Sequence, residues 1–413
     1  MVRAFGGGRT MASRSLFAGG APRAGTLFVL AAAGIAIGYA GALAIMFRGG
    51  EWLLDSRGRP LATDFIAIWS AGRLALSGAA LSAYDGARQH AAEVAAMGHG
   101  FDGSYGWPYP PAFFFVAETL ARLPYAAAFV TGAAVSAALH GASVAAIARR
   151  PAAALVALAA PWALACVMVG QNGFLTAALI GFSLLCLETR PILSGVLLGL
   201  LTYKPHFGLL FPLALAAGGR WRAFASAAVA AVALAGLSIA GFGTAAFAAF
   251  LQGLPQTTNS LVSQGGVGWK KLQSLYGLVR ALGGSSGAGW VAQGAMSLAC
   301  AAGVAGLWRS RAPQALKSAA LASAAALATP YVFVYDLPVL SAAAALLFRH
   351  RAFDRVELCL LALAALAIAV FAFVPLPSGF AASLAIAVMV VRRAVMPNAK
   401  QRLDFDATAQ SAV

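Results

Sequence analysis

Apolar residues in this chain run in long unbroken blocks, with neither the period of two that marks a half-buried strand nor regular charged interruptions. The first block, 26–47, is 22 residues long. At 1.5 Å per residue it makes about 33 Å of helix, enough to cross about 30 Å of hydrocarbon. A polar stretch follows at 48–109 and holds Glu51, Asp55, Asp64, Asp85, Glu93 and Asp102, six of the thirteen acidic residues. The next block, 110–123, is apolar but only 14 residues long, which predicts an interfacial or re-entrant piece. Block 124–147 is long enough to cross and ends at Arg149-Arg150.

Beyond that point two kinds of break alternate between apolar blocks. One kind is basic: Arg190, Arg220/Arg222, Arg309/Arg311/Lys317, Arg349/Arg351/Arg355 and Arg392/Arg393. The other is polar: Gly170-Gln171-Asn172, Tyr203-Lys204-Pro205-His206, the stretch 242–272, Pro330-Tyr331 through Tyr335-Asp336, and the stretch 375–378. With the basic breaks cytoplasmic, every polar break and the loop 48–109 share the opposite side. The expectation is an all-α polytopic membrane protein of about 12 transmembrane helices with both termini cytoplasmic. It is one transmembrane domain, 26–393, between a basic tail at 1–25 and a tail at 394–413, with periplasmic loops at 48–123 and 242–272. The placement expected is a bacterial-type inner membrane.

Composition agrees. Hydrophobic residues make up 61% and charged residues 10%, against roughly 25% charged in soluble domains. The net charge of +16 follows from basic clusters between blocks and does not point to nucleic acid. Arg3, Arg9, Arg14 and Arg23 precede the first block as in a signal peptide, but that block is too long for one and is read as an uncleaved helix. Cys166, Cys186, Cys300 and Cys359 lie inside apolar blocks, without the spacing of a zinc site, and are read as buried free thiols. Abundant Ala and Gly, including Gly34-x-x-x-Gly38, predict tight helix contacts.

Blocks 191–202 and 207–218 are twelve residues each, about 18 Å of helix apiece. Broken helices lower backbone and charge beneath the membrane surface, where protein must shield them. They meet at Lys204 and His206, a pair suited to an anionic ligand such as phosphate, although snorkelling or a stabilised kink is the plainer reading. Asp64, before a predicted helix reaching Gly78, is either an N-cap or a general base beside Phe65 and Trp69; Asp85 reads as a cap. Gln171 and Asn172 start a helix, as caps or as amides holding sugar hydroxyls or phosphate oxygens. Tyr335 and Asp336 stand in the same position before another helix. Lys270-Lys271 is a solvated pair or a contact to lipid phosphate. Tyr105, Trp107, Tyr109, Pro110 and Pro111 form an aromatic belt or a stacking floor for a sugar. No Walker A loop, nucleophile elbow, metalloprotease helix or dinucleotide fingerprint occurs.

Several of these motifs together resemble glycosyltransferase family 87, the polyprenol-phosphate-mannose-dependent mannosyltransferase-like membrane proteins. They are Asp64-Phe65 with Trp69-Ser70-Ala71-Gly72-Arg73 and Tyr84-Asp85, Tyr109-Pro110-Pro111, Gly170-Gln171-Asn172-Gly173, Gly199 through His206, and Thr329-Pro330-Tyr331 with Tyr335-Asp336. The resemblance implies a GT-C bundle with a periplasmic active site and a hexose, typically mannose, carried on polyprenyl phosphate. It implies a lipid or glycan acceptor; no cofactor beyond the lipid-linked donor is expected, and ligand spacing does not indicate a bound metal. It maps the base onto Asp64; with it, the residues' own chemistry makes Lys204, His206 and Arg73 the expected donor phosphate contacts, and Gln171, Asn172, Tyr109, Tyr335 and Asp336 the expected sugar or acceptor contacts. His206 stands where a Gln or other polar residue is as often expected. A transporter or lipid-linked sugar flippase is the alternative, since it shares the helix count and the broken helices. No internal repeat supports it.

Overall fold

The computed structural model describes residues 24–396 apart from 104, 267, 372 and 375. Arg3, Arg9, Arg14, Arg23 and most of the tails expected at 1–25 and 394–413 lie outside the described residues. Those described fold into helices without a sheet. The first span is α1 (Ala24–Arg48). The polar stretch after it folds as α2 (Asp64–Leu76), α3 (Gly86–Met97) and α4 (Phe114–Ala121), and α5 (Tyr125–Ala148) follows. Then come α6 (Ala152–Ala159) and α7 (Pro161–Val169), one apolar run bent by 68° where Pro161 lacks an N–H to continue the ladder. After α8 (Gly173–Cys186), the two short blocks form α9 (Pro191–Leu200), α10 (Pro205–Gly208) and α11 (Phe211–Ala217). The second half contains α12 (Trp221–Thr258), α13 (Leu275–Ala281), α14 (Ser286–Arg309), α15 (Gln314–Leu327), α16 (Val339–His350), α17 (Arg355–Phe371) and α18 (Ser378–Val395).

By length and composition, five of these helices can cross a membrane, or six with the bent pair counted as one span. That is fewer than the dozen blocks suggest, because much of the bundle is built from short helices enclosed by others. Every residue from Ser318 to Leu327 of α15 is buried, and so are most of α16's. These two helices form the centre of the larger hydrophobic core, with Trp308, Leu321, Leu340 and Leu347. A second core lies under the 48–123 stretch and gathers Phe65, Ile66, Trp107, Phe113, Phe114, Phe129 and Tyr203. The break at Tyr203-Lys204 falls on the seam between the two: Tyr203 belongs to one, Leu201 and Phe207 to the other.

Helix α12 is 38 residues long, about 57 Å if straight. Gly243 breaks it with φ 83° and ψ 159°, a backbone that favours glycine. The 242–272 stretch therefore begins at a kink and stays helical to Thr258 rather than forming an open loop.

Contacts sort the breaks into two sets. At the polar set, Asp64 meets Gln171, Lys204 meets Asp336, Thr258 meets Tyr331, and Gln273 meets both the Val332 carbonyl and the Gly379 N–H. At the basic set, Arg220 reaches Glu188 and Gln314, Arg349 reaches the Ile147 carbonyl, and Arg393 holds Glu357 and the carbonyls of Leu347 and Arg351. The helices thus present their polar breaks at one end and their basic breaks at the other.

The tight glycine contact expected at Gly34 and Gly38 is absent: both face open space on α1, which is largely exposed. Close approach occurs on α9 instead. A Cβ on Gly195 would collide with Ser226 Oγ and the Ala223 carbonyl of α12, and one on Gly199 with Ala230 Cβ. All four cysteines are free; Cys166 alone is fully buried, and Cys359 is exposed on α17. Gly195→Val is expected to lower the thermal unfolding midpoint in detergent, or to abolish folding, because backbone must move to admit it. Gly34→Leu with Gly38→Leu is expected to stay within about 0.5 kcal/mol of the parent, as substitutions on open surface do.

Candidate functional site

Helix α2 starts at Asp64, but Asp64 does not cap it. Thr63 occupies the cap position, and no side chain closes the first turn. Asp85 is the residue that caps, accepting the Arg88 N–H at 2.9 Å at the head of α3. Freed from that duty, the half-buried Asp64 carboxylate accepts the Gln171 side-chain amide at 3.2 Å. Burial raises its pKa above the ordinary carboxylate value, the Gln171 hydrogen bond and the Lys271 ammonium oppose the rise, and Asp336 adds to it.

Gln171 is placed by the residue before it. Gly170 ends α7 at φ 68°, and a Cβ there would stand 2.5 Å from the Phe129 ring and 2.7 Å from Phe65 Cβ. Only glycine lets this turn lie against the start of α2, and that contact carries Gln171 to Asp64. Behind Gln171 the hydrogen bonds run in one direction. The Asn172 amide donates to the Tyr109 hydroxyl at 3.0 Å, and that hydroxyl donates to Gln171 Oε1 at 3.0 Å. Each donor polarises the next, so the chain strengthens toward the carboxylate. Asn172 takes the N-cap position of α8 without capping it, and its buried Oδ1 has no partner. The Asn172 carbonyl accepts from Tyr203, whose hydroxyl also pairs with Thr176 at 2.6 Å.

Lys204 sits at the break between α9 and α10, 5% exposed. Its ammonium meets Asp336 Oδ1 at 2.5 Å, with the Tyr335 and Phe207 rings 5.8 and 5.9 Å away. The other Asp336 oxygen accepts the Phe333 N–H at 3.1 Å, so the carboxylate also holds its own turn. Gly173 makes the approach possible: a Cβ there would collide with the Tyr335 carbonyl. The His206 ring lies 5.9 Å from Tyr331, whose hydroxyl pairs with Thr258 at 2.6 Å. Tyr335 stacks on Phe333.

Asp64, Gln171, Asn172 and Tyr109 therefore form one hydrogen-bonded group, and Lys204 with Asp336 forms a second. Gly173 and Tyr335 join the two groups. Arg73 belongs to neither. It lies nine residues along α2 from Asp64, about 13.5 Å on and half a turn round, exposed over the Trp69 ring at 5.7 Å. Trp107 stacks on Phe114 at 4.8 Å, and Tyr109 packs on Phe113 at 4.6 Å. The aromatic cluster is thus packed into the second core rather than spread as a belt or a floor. Tyr203 and Thr176, bonded behind Asn172, were not legible as site residues, nor was the full burial of Glu93 on α3. Glu93 accepts from Gln89, His90 and the Tyr105 N–H, and burial raises its pKa. Among the described residues no three His, Cys, Asp or Glu side chains gather so as to hold a metal ion.

The family model for glycosyltransferase family 87 matches residues 107–330, more than half of the chain. The chain belongs to glycosyltransferase family 87. The matched segment contains Tyr109, Gln171, Asn172, Lys204 and His206; Asp64 precedes it, and Tyr335 and Asp336 follow it. No curated protein and no solved structure matches the chain.

Breaking the buried pair tests the second group. Lys204→Met leaves the Asp336 carboxylate without its ammonium and is expected to cost about 3–5 kcal/mol, read as a lower unfolding midpoint. Lys204→Met with Asp336→Leu is expected to recover most of that loss. A double variant no more stable than the single one would mean that the pair does not carry the strain.

Proposed function

We propose that this family 87 glycosyltransferase moves a hexose, mannose first, from a polyprenyl-phosphate sugar to a lipid or glycan acceptor. The reaction takes place at the periplasmic face of the inner membrane. The observation that carries this reading is Asp64: a half-buried carboxylate, spared from capping, at the receiving end of a directed hydrogen-bond chain. Asp64 is the one carboxylate of the group left without a cation, since the neighbouring Asp336 is held by Lys204, and a single base suits single displacement rather than the paired carboxylates of a glycosidase.

In this mechanism Asp64 takes the proton of the acceptor hydroxyl as its oxygen attacks the anomeric carbon. The bond from that carbon to the phosphate oxygen breaks on the opposite face, and polyprenyl phosphate leaves with both electrons. Configuration inverts. An ammonium has three N–H donors. Asp336 engages Lys204 on one side, and the remaining donors serve the departing phosphate. His206 lies two residues on and supplies a further donor. The unpartnered Asn172 Oδ1 takes a sugar hydroxyl, and Tyr109, Gln171 and Tyr335 line the same face. Arg73 has no part in this arrangement. No cofactor enters the scheme.

Topology follows the positive-inside rule. With the short enclosed helices counted, the chain crosses about twelve times and both termini are cytoplasmic. The family supports transfer over the transporter or flippase reading.

Asp64→Asn is expected to reduce transfer from a radiolabelled polyprenyl-phosphate mannose by about 10²–10⁴-fold. Burial raises the folded carboxyl's pKa above its unfolded value, so the folded state binds the proton more tightly. Asp64 therefore costs stability as pH rises through that interval, and Asp64→Asn should unfold no earlier than the parent at neutral pH. An active Asp64→Asn protein would remove the base from the scheme. Gln171→Leu deletes the hydrogen bond that holds the pKa down, so the acidic limb of the rate–pH profile should move to higher pH.

A further inference from the structure

A cavity of about 1320 Å³ opens at the end of the bundle away from Asp64. Helices α14 and α18 both pack on α15, and the cavity is the space between them, floored by Ala320, Ala324 and Leu327. Its α14 wall runs from Met296 to Leu307, about 17 Å of helix. That equals or slightly exceeds the depth of one leaflet's hydrocarbon, about half of 30 Å. Gly303 and Gly306 lie on this wall, and a Cβ on either would meet nothing within 4 Å. The groove is therefore open rather than filled by neighbouring side chains.

Its mouth is basic. Arg311, His350 and Arg393 line it. The acids nearby are Asp354 and Glu357, and both are engaged. Glu357 is held by Arg393 at 2.6 Å and by Arg351 at 3.3 Å; Asp354 is held by Arg392 at 2.8 Å. Among the described residues no acid pairs with Arg311, which is exposed, and the His350 Nδ1 is buried without a partner. An apolar groove one leaflet deep, ending at uncompensated positive charge and an unused ring nitrogen, complements a molecule with an acyl chain and an anionic phosphate head. Basic pockets between helices bind such headgroups.

We propose that this groove is a binding site for an anionic phospholipid, its acyl chain lying between α14 and α18 and its phosphate held by Arg311 and His350. The charged mouth stands at the opposite end from Asp64 and Lys204, so the site is separate from any donor site. The proposal does not depend on the transfer reaction.

The test uses the full chain in detergent, titrated with phosphatidylglycerol or with phosphatidylcholine of the same acyl composition and examined by native mass spectrometry. Phosphatidylglycerol should be retained in preference to phosphatidylcholine. Arg311→Gln should reduce that preference by about fivefold, the effect of one basic side chain near lipid charge. Gly303→Leu with Gly306→Leu fills the groove without touching backbone and should remove the tightly held lipid, while the circular dichroism spectrum is kept. Equal retention of the two lipids, or full retention by the filled variant, would overturn the site. So would a filled variant that loses only self-association, since a second copy would then be what covers the groove.

Discussion

An ammonium and a carboxylate taken out of water must find each other, and Lys204 and Asp336 do so across 132 positions of sequence. Their meeting ties the break between α9 and α10 to the turn before α16. Both charges are nearly inaccessible, so neither chain segment can move away without exposing a lone ion in an apolar interior. Gly173 is constrained by the same contact, because the Tyr335 carbonyl occupies the space where its side chain would be. The start of α8 is thereby fixed against the Asp336 turn, and Gln171 and Asn172 go with it.

From that anchor the site assembles by packing. Gly170 lies against Phe65 and Phe129, so the first turn of α2 and the end of α7 share one contact. The second core holds that contact from below, with Phe113 stacked on Tyr203 at 4.7 Å. Asp64 then stands where burial disfavours its charge and one amide favours it. A carboxylate kept in that state costs stability and gains basicity, which is the state the proposed base requires. The charged contacts at the basic end serve differently: Arg393 and Glu357 are both fully buried and bidentate, and they staple α18 to α17 and to the end of α16.

Much of this was legible in the amino-acid pattern. The alternation of basic and polar breaks anticipated that breaks of one kind gather together, and the twelve-residue blocks beside Lys204 anticipated the break between α9 and α10. What sequence leaves open is which breaks touch. Nothing local shows that Lys204 pairs with Asp336, or that Tyr203 and Thr176 lie behind the site. Arg73 looked suitable because it shares a motif with Asp64; nine residues of helix turn it to the opposite face. Gly34 and Gly38 had the right spacing for a tight contact, but α1 lies at the margin and brings no partner to them. The crossing count is the hardest to read from length, because α15 and α16 need little length or hydropathy when other helices enclose them.

The central claim is that the polar breaks share one membrane face and the basic breaks the other. Single cysteines at positions 102 and 311, in a chain stripped of its four native thiols, would be exposed to an impermeant maleimide in sealed right-side-out vesicles. Position 102 should label in intact vesicles, and position 311 only after the membrane is opened. Equal labelling of both in intact vesicles would place the two sets of breaks on one side and contradict the account.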